Sequence, residues 1–127
     1  IPGRELTVGI LGNKPLPIVE IVPQNSLYDY DCKYTKGMSE YIVPADISDS
    51  LQRSISEDAV KLYKTIGCRH YARIDFRLND NDEYHMLEIN TLPGMTTTSL
   101  FPKAAHAAGL SFSKLVNTII QLAHIDN

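Results

Sequence analysis

The chain has 127 residues, which is enough for one domain with a core of its own. With 43% hydrophobic and 21% charged residues it has the composition of a globular protein, and its formal net charge of -3 argues against nucleic acid as a partner. Neither an apolar run of the roughly 20 residues that a membrane helix needs nor a secretory leader pattern occurs, so we expect no membrane partner. Cys32 and Cys68 form no redox or metal-binding motif, which favours the cytoplasm.

The first elements predicted along the chain are strands at residues 5–11 and 16–22. The turn residues of the intervening GNKP favour a hairpin between them. Residues 24–46 follow neither the strand period nor the helix period, and they are too many for an ordinary connection. We therefore expect a functional lid loop at residues 24–46.

The remaining elements are a helix, two strands and two further helices. Apolar residues recur at helical spacing over 47–66, and Gly67 supplies a stop. Strands follow at about 70–78 and 83–90, joined by the polar turn NDND. Ser99 and Ser111 are predicted to cap the last two helices. The pattern predicts an α+β fold, with a mainly antiparallel sheet packed against helices.

The last two strands are predicted to separate apolar from charged side chains. If residues 79–82 form the loop, Leu78 faces Glu83 and Arg73 faces Glu88. One face of the pair then packs on the helix at 47–66, and it carries Ala72, Ile74, Phe76, Leu78, Leu87 and Ile89. The other face carries Arg73, Asp75, Glu88 and Asn90.

The charged face has three possible interpretations. Two carboxylates and a carboxamide oxygen, from Asp75, Glu88 and Asn90, suit one or two Mg²⁺ ions, while Arg73 would offset their charge and bind phosphate. The same residues are also typical of a solvated surface with ordinary ion pairs. Asp75 and Glu88 as the acid and nucleophile of a glycosidase are a third possibility, but that leaves Asn90 and the Pro-Gly turn unexplained.

A family resemblance favours the metal site. The stretch GCRHYARIDFRLNDNDEYHMLEINTLPGMTTTSLFPKAAHAAGLSF resembles the C-terminal part of the D-alanine–D-alanine ligases, which are ATP-grasp enzymes. The stretches IPGRELTVGILG and YDYDCKYTKGMSEYIVPA resemble the same family in the same order, so the resemblance covers nearly the whole chain. It implies the C-terminal subdomain of an ATP-grasp fold. The family's N-terminal domain and glycine-rich central segment are not in this sequence, so we expect the isolated chain to be inactive.

The activity implied by the resemblance is the ligation of two D-alanines in the cytoplasm, for peptidoglycan. ATP would phosphorylate the carboxylate of the first D-alanine, and the amine of the second would attack the acylphosphate. The intact enzyme is expected to be a homodimer. A ligase of the D-alanine–D-lactate or D-serine type, and a non-catalytic metal-binding module, remain alternatives.

The resemblance also implies roles for individual residues. The implied ligands of two Mg²⁺ ions, or of Mn²⁺, are Asp75, Glu88 and Asn90. The implied contacts to ATP are Glu5 with the ribose, Lys33 with a phosphate and Leu87 with the adenine. Arg73 and the backbone of Gly94 would stabilise the tetrahedral intermediate, and Ser99 with Leu100 would hold the carboxylate of the second D-alanine. Tyr34 matches the family's loop tyrosine, which belongs to a hydrogen-bonded triad that links the lid to the other domains, and it favours the dipeptide over the depsipeptide product.

Overall fold

A computed structural model of the chain describes residues 2–23 and 39–125. Six strands form one antiparallel sheet in the order β4-β3-β1-β5-β6, with β2 paired to β1 beside this path. The strands are β1 (Arg4–Leu11), β2 (Lys14–Pro15), β3 (Val19–Pro23), β4 (Ser39–Ile42), β5 (Tyr71–Leu78) and β6 (Tyr84–Asn90). The helices are α1 (Asp49–Ile66), α2 (Leu100–Ala107) and α3 (Phe112–Ile125). The predicted α+β fold is confirmed.

The predicted hairpin near the start of the chain is present. β2 pairs with the end of β1, and β3 then pairs with Glu5, Leu6 and Thr7 of the same strand. The prediction of one irregular loop over 24–46 was wrong for residues 39–42, which form β4 and pair with β3. Four residues are too few to show a period, so their sheet pairing has no local signal. Residues 24–38 lie outside the described part of the chain.

Helix α1 covers one face of the sheet, as predicted. Its N-cap is Ser48, whose Oγ accepts the N–H of Leu51 at 3.2 Å, and Gly67 ends it in a left-handed conformation with φ 84°. Alternate residues of β1 and β5 point towards α1 and are fully buried. This core contains Leu6, Val8, Ile10, Ile18, Ala45, Ile55, Ala59, Tyr63, Ala72, Ile74, Phe76 and Leu78.

Helices α2 and α3 pack on the opposite face. Val19, the first residue of β3, belongs to their core, whereas Ile18 just before it belongs to the core under α1, because successive residues of an extended segment point to opposite faces. Phe101 of α2 lies directly on the backbone of Gly9, where a Cβ atom would be 3.0 Å from two of its ring carbons. Ser111 caps α3 by accepting the N–H of Lys114 at 3.2 Å. The second core contains Leu16, Val19, Phe101, Ala104, Ala105 and Leu115.

The register of β5 with β6 differs from the prediction in two places, and the two one-residue shifts add up to two residues. The turn extends to Glu83, so Leu78 pairs with Tyr84 rather than with Glu83. A bulge then skips Leu87, so that Asp75 pairs with Glu88 and Arg73 with Asn90. Because two shifts of one residue restore the original alternation, Glu88 and Asn90 keep the face that the sequence predicted.

The bulge also changes which residues of β6 face α1. Met86 pairs with Phe76 on the helix side, and Leu87 is 41% exposed and belongs to neither core, so the prediction that Leu87 packs on α1 was wrong. Tyr84 reaches α1 and donates a hydrogen bond of 2.5 Å to Asp58. Burial and this bond raise the pKa of Tyr84 to about 12. Within residues 2–23 and 39–125, no helix is both long and apolar enough to cross a bilayer.

We predict that Phe101→Ala lowers the free energy of unfolding by about 3–5 kcal/mol, because it removes a buried ring and leaves a cavity over Gly9. Denaturant titration measures the change. Phe112→Ala is the matched control, since Phe112 is 37% exposed, and we expect a loss of about 1 kcal/mol. Equal losses for the two variants would show that α2 is not held by the Phe101 contact.

Candidate functional site

Charged and polar side chains from β1, β5 and β6 share the sheet face on which α2 packs. The register places Glu5 opposite Arg77 and Thr7 opposite Asp75. On the other side of β5, Asp75 is opposite Glu88 and Arg73 is opposite Asn90. Directly paired residues of neighbouring strands lie on one face, so the structure brings together the predicted residues Glu5, Arg73, Asp75, Glu88 and Asn90.

Arg73 links the two carboxylates of this face. Its Nε donates to Asp75 Oδ1 and its Nη2 to Asp75 Oδ2, each at 3.1 Å. The same Nη2 lies 3.8 Å from Glu88 Oε1. The side chains of Arg73 and Asp75 are only 18% and 14% exposed, so this forked pair is partly withdrawn from water. An ordinary solvated surface does not fit that degree of burial.

Thr7 is a functional candidate that the sequence reasoning missed. It is 2% exposed, and its hydroxyl donates a hydrogen bond of 2.6 Å to Asp75 Oδ1. Asp75 is thereby held from one side by Thr7 and from the other by Arg73. The sequence does show that Glu5, Thr7 and Gly9 share one face of β1. It does not show that Thr7 contacts Asp75, because that contact depends on the pairing of β1 with β5.

The oxygen atoms of Asp75, Glu88 and Asn90 fit a hard divalent cation. Glu88 is 63% exposed, and Asn90 Oδ1 accepts the N–H of Leu92 at 2.9 Å, which orients the amide oxygen. Two carboxylates and one guanidinium leave a local charge of about -1. Among the described residues, no three His, Cys, Asp or Glu side chains form a metal-binding group. Two carboxylates and an amide oxygen still suit Mg²⁺, because proteins hold this ion by one or two carboxylates together with substrate phosphates.

A second group of predicted residues lies around the start of α2. A Cβ atom on Gly94 would be 3.0 Å from Ser99 Oγ, so the turn at Gly94 and the Ser99 hydroxyl are neighbours. Ser99 Oγ bonds Thr96 Oγ1 at 2.7 Å and accepts the N–H of Thr96 at 3.1 Å. Thr96 thus holds the hydroxyl in place, a contact that the sequence did not indicate.

Ser99 does not cap α2 with its side chain, and the prediction of a hydroxyl cap there was wrong. The hydroxyl turns back to Thr96 instead. The first N–H groups of a helix lack partners within the helix, so they are suited to bind a carboxylate. Leu100 is the first residue of α2 and lies at this end.

The other predicted site residues are placed as follows. Glu5 lies two residues before Thr7 on β1, and its carboxylate has no hydrogen-bond or ion-pair partner that the structure describes. Leu87 is the bulged residue between the Asp75–Glu88 and Phe76–Met86 pairs. Lys33 and Tyr34 lie outside the described residues.

Comparison with known proteins gives consistent matches. The family model "D-ala D-ala ligase C-terminus" matches residues 1–121. The D-alanine–D-alanine ligase of Syntrophotalea carbinolica is 48% identical over 120 residues, which are 94% of this chain and 39% of that protein. The ligase of that name from Halalkalibacterium halodurans is 48% identical over 128 residues, covering 97% of this chain and 42% of that protein.

Solved structures agree with the sequence comparison. A crystal structure of the D-alanine–D-alanine ligase of Bacillus anthracis matches 96% of this chain with a TM-score of 0.81 and 37% identity, over 40% of that protein. A structure of the Bacillus anthracis ligase complexed with ATP matches with a TM-score of 0.76 and 34% identity, over 96% of this chain and 37% of that protein. This chain therefore spans about two fifths of the length of the proteins that it matches.

We predict that Thr7→Val weakens the binding of a divalent cation at least about tenfold, because Asp75 loses the hydrogen bond that orients it while the buried volume is kept. Titration with Mn²⁺, followed by electron paramagnetic resonance, measures the affinity. Thr65→Val, on the exposed surface of α1, is the control. An unchanged affinity in Thr7→Val would mean that Thr7 only fills space beneath the sheet face.

Proposed function

The chain belongs to the D-alanine–D-alanine ligase family, whose C-terminal part it forms, and on this basis we propose that it carries one half of an ATP-dependent ligase site. The reaction is the joining of two D-alanines to D-alanyl-D-alanine, for peptidoglycan, with ATP converted to ADP and phosphate. The observation that carries the proposal is the convergence of Asp75, Glu88 and Asn90 beside Arg73 on one sheet face. This arrangement matches the chemistry that a nucleoside triphosphate and its magnesium require.

Asp75, Glu88 and Asn90 would hold Mg²⁺, or Mn²⁺ in its place, against the phosphates. When bound, the metal neutralises negative charge on the transferring phosphoryl group. The protein's own contribution is to keep these oxygens in place beforehand. Thr7 and Arg73 fix both oxygens of Asp75, and the backbone of Leu92 fixes the amide of Asn90. Little reorganisation is then needed when the nucleotide arrives.

Arg73 stabilises the negative charge that develops during both steps. The first D-alanine carboxylate attacks the γ-phosphate of ATP, and the amine of the second D-alanine attacks the resulting acylphosphate. The second attack places a negative charge on the oxygen of a tetrahedral intermediate. Arg73 is held rigidly by its two bonds to Asp75, so its remaining N–H groups and the backbone N–H of Gly94 act as preorganised donors to that oxygen.

The start of α2 binds the carboxylate of the second D-alanine in this proposal. Ser99 and Leu100 lie where helix N–H groups favour an anion, and Thr96 positions the Ser99 hydroxyl. Since Ser99 Oγ also neighbours Gly94, the amine of the bound amino acid would lie on the side of the acylphosphate. Proximity of the two reacting groups is itself a large part of the rate acceleration.

The remaining roles concern ATP and the other parts of the enzyme. Glu5 accepts hydrogen bonds from the ribose hydroxyls, Leu87 lines the adenine pocket and Lys33 contacts a phosphate. Tyr34 is one member of a hydrogen-bonded triad that links its loop to the other domains, and it favours D-alanine over D-lactate as the second substrate. The partners of the chain are D-alanine, ATP and the N-terminal and central parts of the same enzyme. The intact enzyme is proposed to be a cytoplasmic homodimer.

In the full-length enzyme, we predict that Glu88→Gln lowers kcat about 100-fold or more, because a neutral amide replaces a carboxylate that faces Asp75 across the metal site. ADP release on addition of D-alanine and ATP measures the turnover. Glu57→Gln, on the exposed surface of α1, removes the same charge away from the site and is expected to retain normal turnover. Near-normal turnover of Glu88→Gln at saturating Mg²⁺ would contradict the metal assignment.

We also predict that the 127-residue chain alone does not ligate D-alanine, because the proposal leaves the binding of the first D-alanine and one side of the ATP site to parts outside it. The assay is D-alanine-dependent phosphate release, with the full-length enzyme as the positive control. Activity should appear when the chain is mixed with the rest of the enzyme, if the two parts associate. Ligation by the chain alone would show that its site is complete.

A further inference from the structure

Arg77 is a cation on the candidate site's face that the proposed mechanism leaves without a role. It follows Arg73 and Asp75 at two-residue intervals along β5, and it is the direct cross-strand partner of Glu5 on β1. Residues two apart on a strand lie on the same face, about 7 Å from each other. Arg77 therefore lies at the opposite end of this row from Arg73, next to Glu5.

The guanidinium of Arg77 is poorly satisfied within the described residues. It makes one hydrogen bond there, from Nη1 to the carbonyl of Gly3, and this bond is long at 3.4 Å. Its Nε is buried and has no partner. A buried donor without an acceptor is costly and rare in native structures, which suggests that an acceptor or a ring is supplied by a ligand.

The neighbouring arginine of this region, by contrast, is well paired. Arg4 and Glu20 form two hydrogen bonds of 2.7 Å, from Nε and Nη2 of the arginine to both carboxylate oxygens. Arg77 and Glu5 are closer in the sheet, being direct partners, yet among the described residues they form no ion pair. Arg4 is thus paired with a carboxylate, whereas Arg77 and Glu5 keep hydrogen-bonding groups that a ligand could use.

Arg77 and Glu5 line the same cavity, of about 220 Å³. Apolar side chains of β3, from Ile21 to Pro23, form part of its wall. Leu87 lies at the bulge beside the Phe76–Met86 pair, one residue along β5 from Arg77. The cavity thus combines a carboxylate, a planar cation and apolar surface, a combination that suits the sugar and base of a nucleoside.

We propose that Arg77 contacts the purine base of the nucleotide, and this inference rests on the proposed function. In that function the phosphates lie at Asp75, Glu88 and Asn90 and the ribose at Glu5, so the row along β5 runs from the reacting end at Arg73 to the nucleoside end at Arg77. Glu5 accepts hydrogen bonds from hydroxyls. The donor-only, planar guanidinium complements it by stacking on the ring or donating to ring nitrogens.

The test uses the full-length enzyme and measures binding rather than turnover. Calorimetry with adenosine, with ATP and with inorganic tripolyphosphate distinguishes the affinity for the nucleoside from the affinity for the phosphates. We expect Arg77→Ala to raise the Kd of adenosine and ATP about tenfold, as for the loss of one good stacking or charge-assisted contact. The Kd of tripolyphosphate should stay unchanged. Arg53→Ala, an exposed arginine on α1, is the matched control and should alter none of the three values.

Two outcomes would overturn the assignment to the base. One is an unchanged adenosine Kd in Arg77→Ala, and the other is a tripolyphosphate Kd that rises as much as that of ATP. Arg77→Lys keeps the charge and the fold but lacks the planar fork, so we expect it to recover only part of the adenosine affinity; full recovery would also overturn the base contact. Melting temperatures show that the variants are folded. If the wild-type enzyme binds adenosine but releases no phosphate with D-alanine, the proposed ligase function fails while the Arg77 test still stands.

Discussion

The pairing of β1 with β5 is the constraint on which the rest of the molecule depends. Eight residues of each strand are in antiparallel register, from Arg4 opposite Leu78 to Leu11 opposite Tyr71. Because side chains alternate, this single register sends one set of residues into the core under α1 and the other set to the polar face. A slip of one residue would bury Asp75 and expose its neighbours. The apolar core therefore stabilises the geometry of the charged face without touching it.

The charged face combines an ion pair with the oxygen atoms of the proposed cation site. Arg73 bridges Asp75 and Glu88, and Thr7 adds a hydrogen bond from the buried side. One arginine cannot neutralise two carboxylates, so the face retains a negative charge that favours a divalent cation. Arg73 would thus act with and without bound ligands. Without them it offsets the repulsion between the two carboxylates, and with them its remaining N–H groups would lie beside the reacting atoms.

The two helical layers have different tasks. Helix α1 covers the larger apolar core, to which it contributes Ile55, Ala59 and Tyr63, whereas α2 brings its first residues to the polar side of the sheet. Helix α2 is positioned by the contact of Phe101 with Gly9, where a Cβ atom would lie 3.0 Å from the ring and force it to shift. Since Gly9 is also the cross-strand partner of Arg73, the same position on β1 locates both the helix start at Ser99 and the proposed catalytic arginine.

The sequence by itself determined the α+β class, α1 with its Gly67 end, and the polar set Arg73, Asp75, Glu88 and Asn90. These follow from periodicity and turn chemistry, which act over a few neighbouring residues. The roles of single residues came from the family resemblance and stay proposals. Only the tertiary structure decided the bulge at Leu87, the strand at 39–42, the partner of Thr7 and the half-buried position of Arg77 beside Glu5. Each of these depends on which distant strand lies alongside, and no local pattern carries that information.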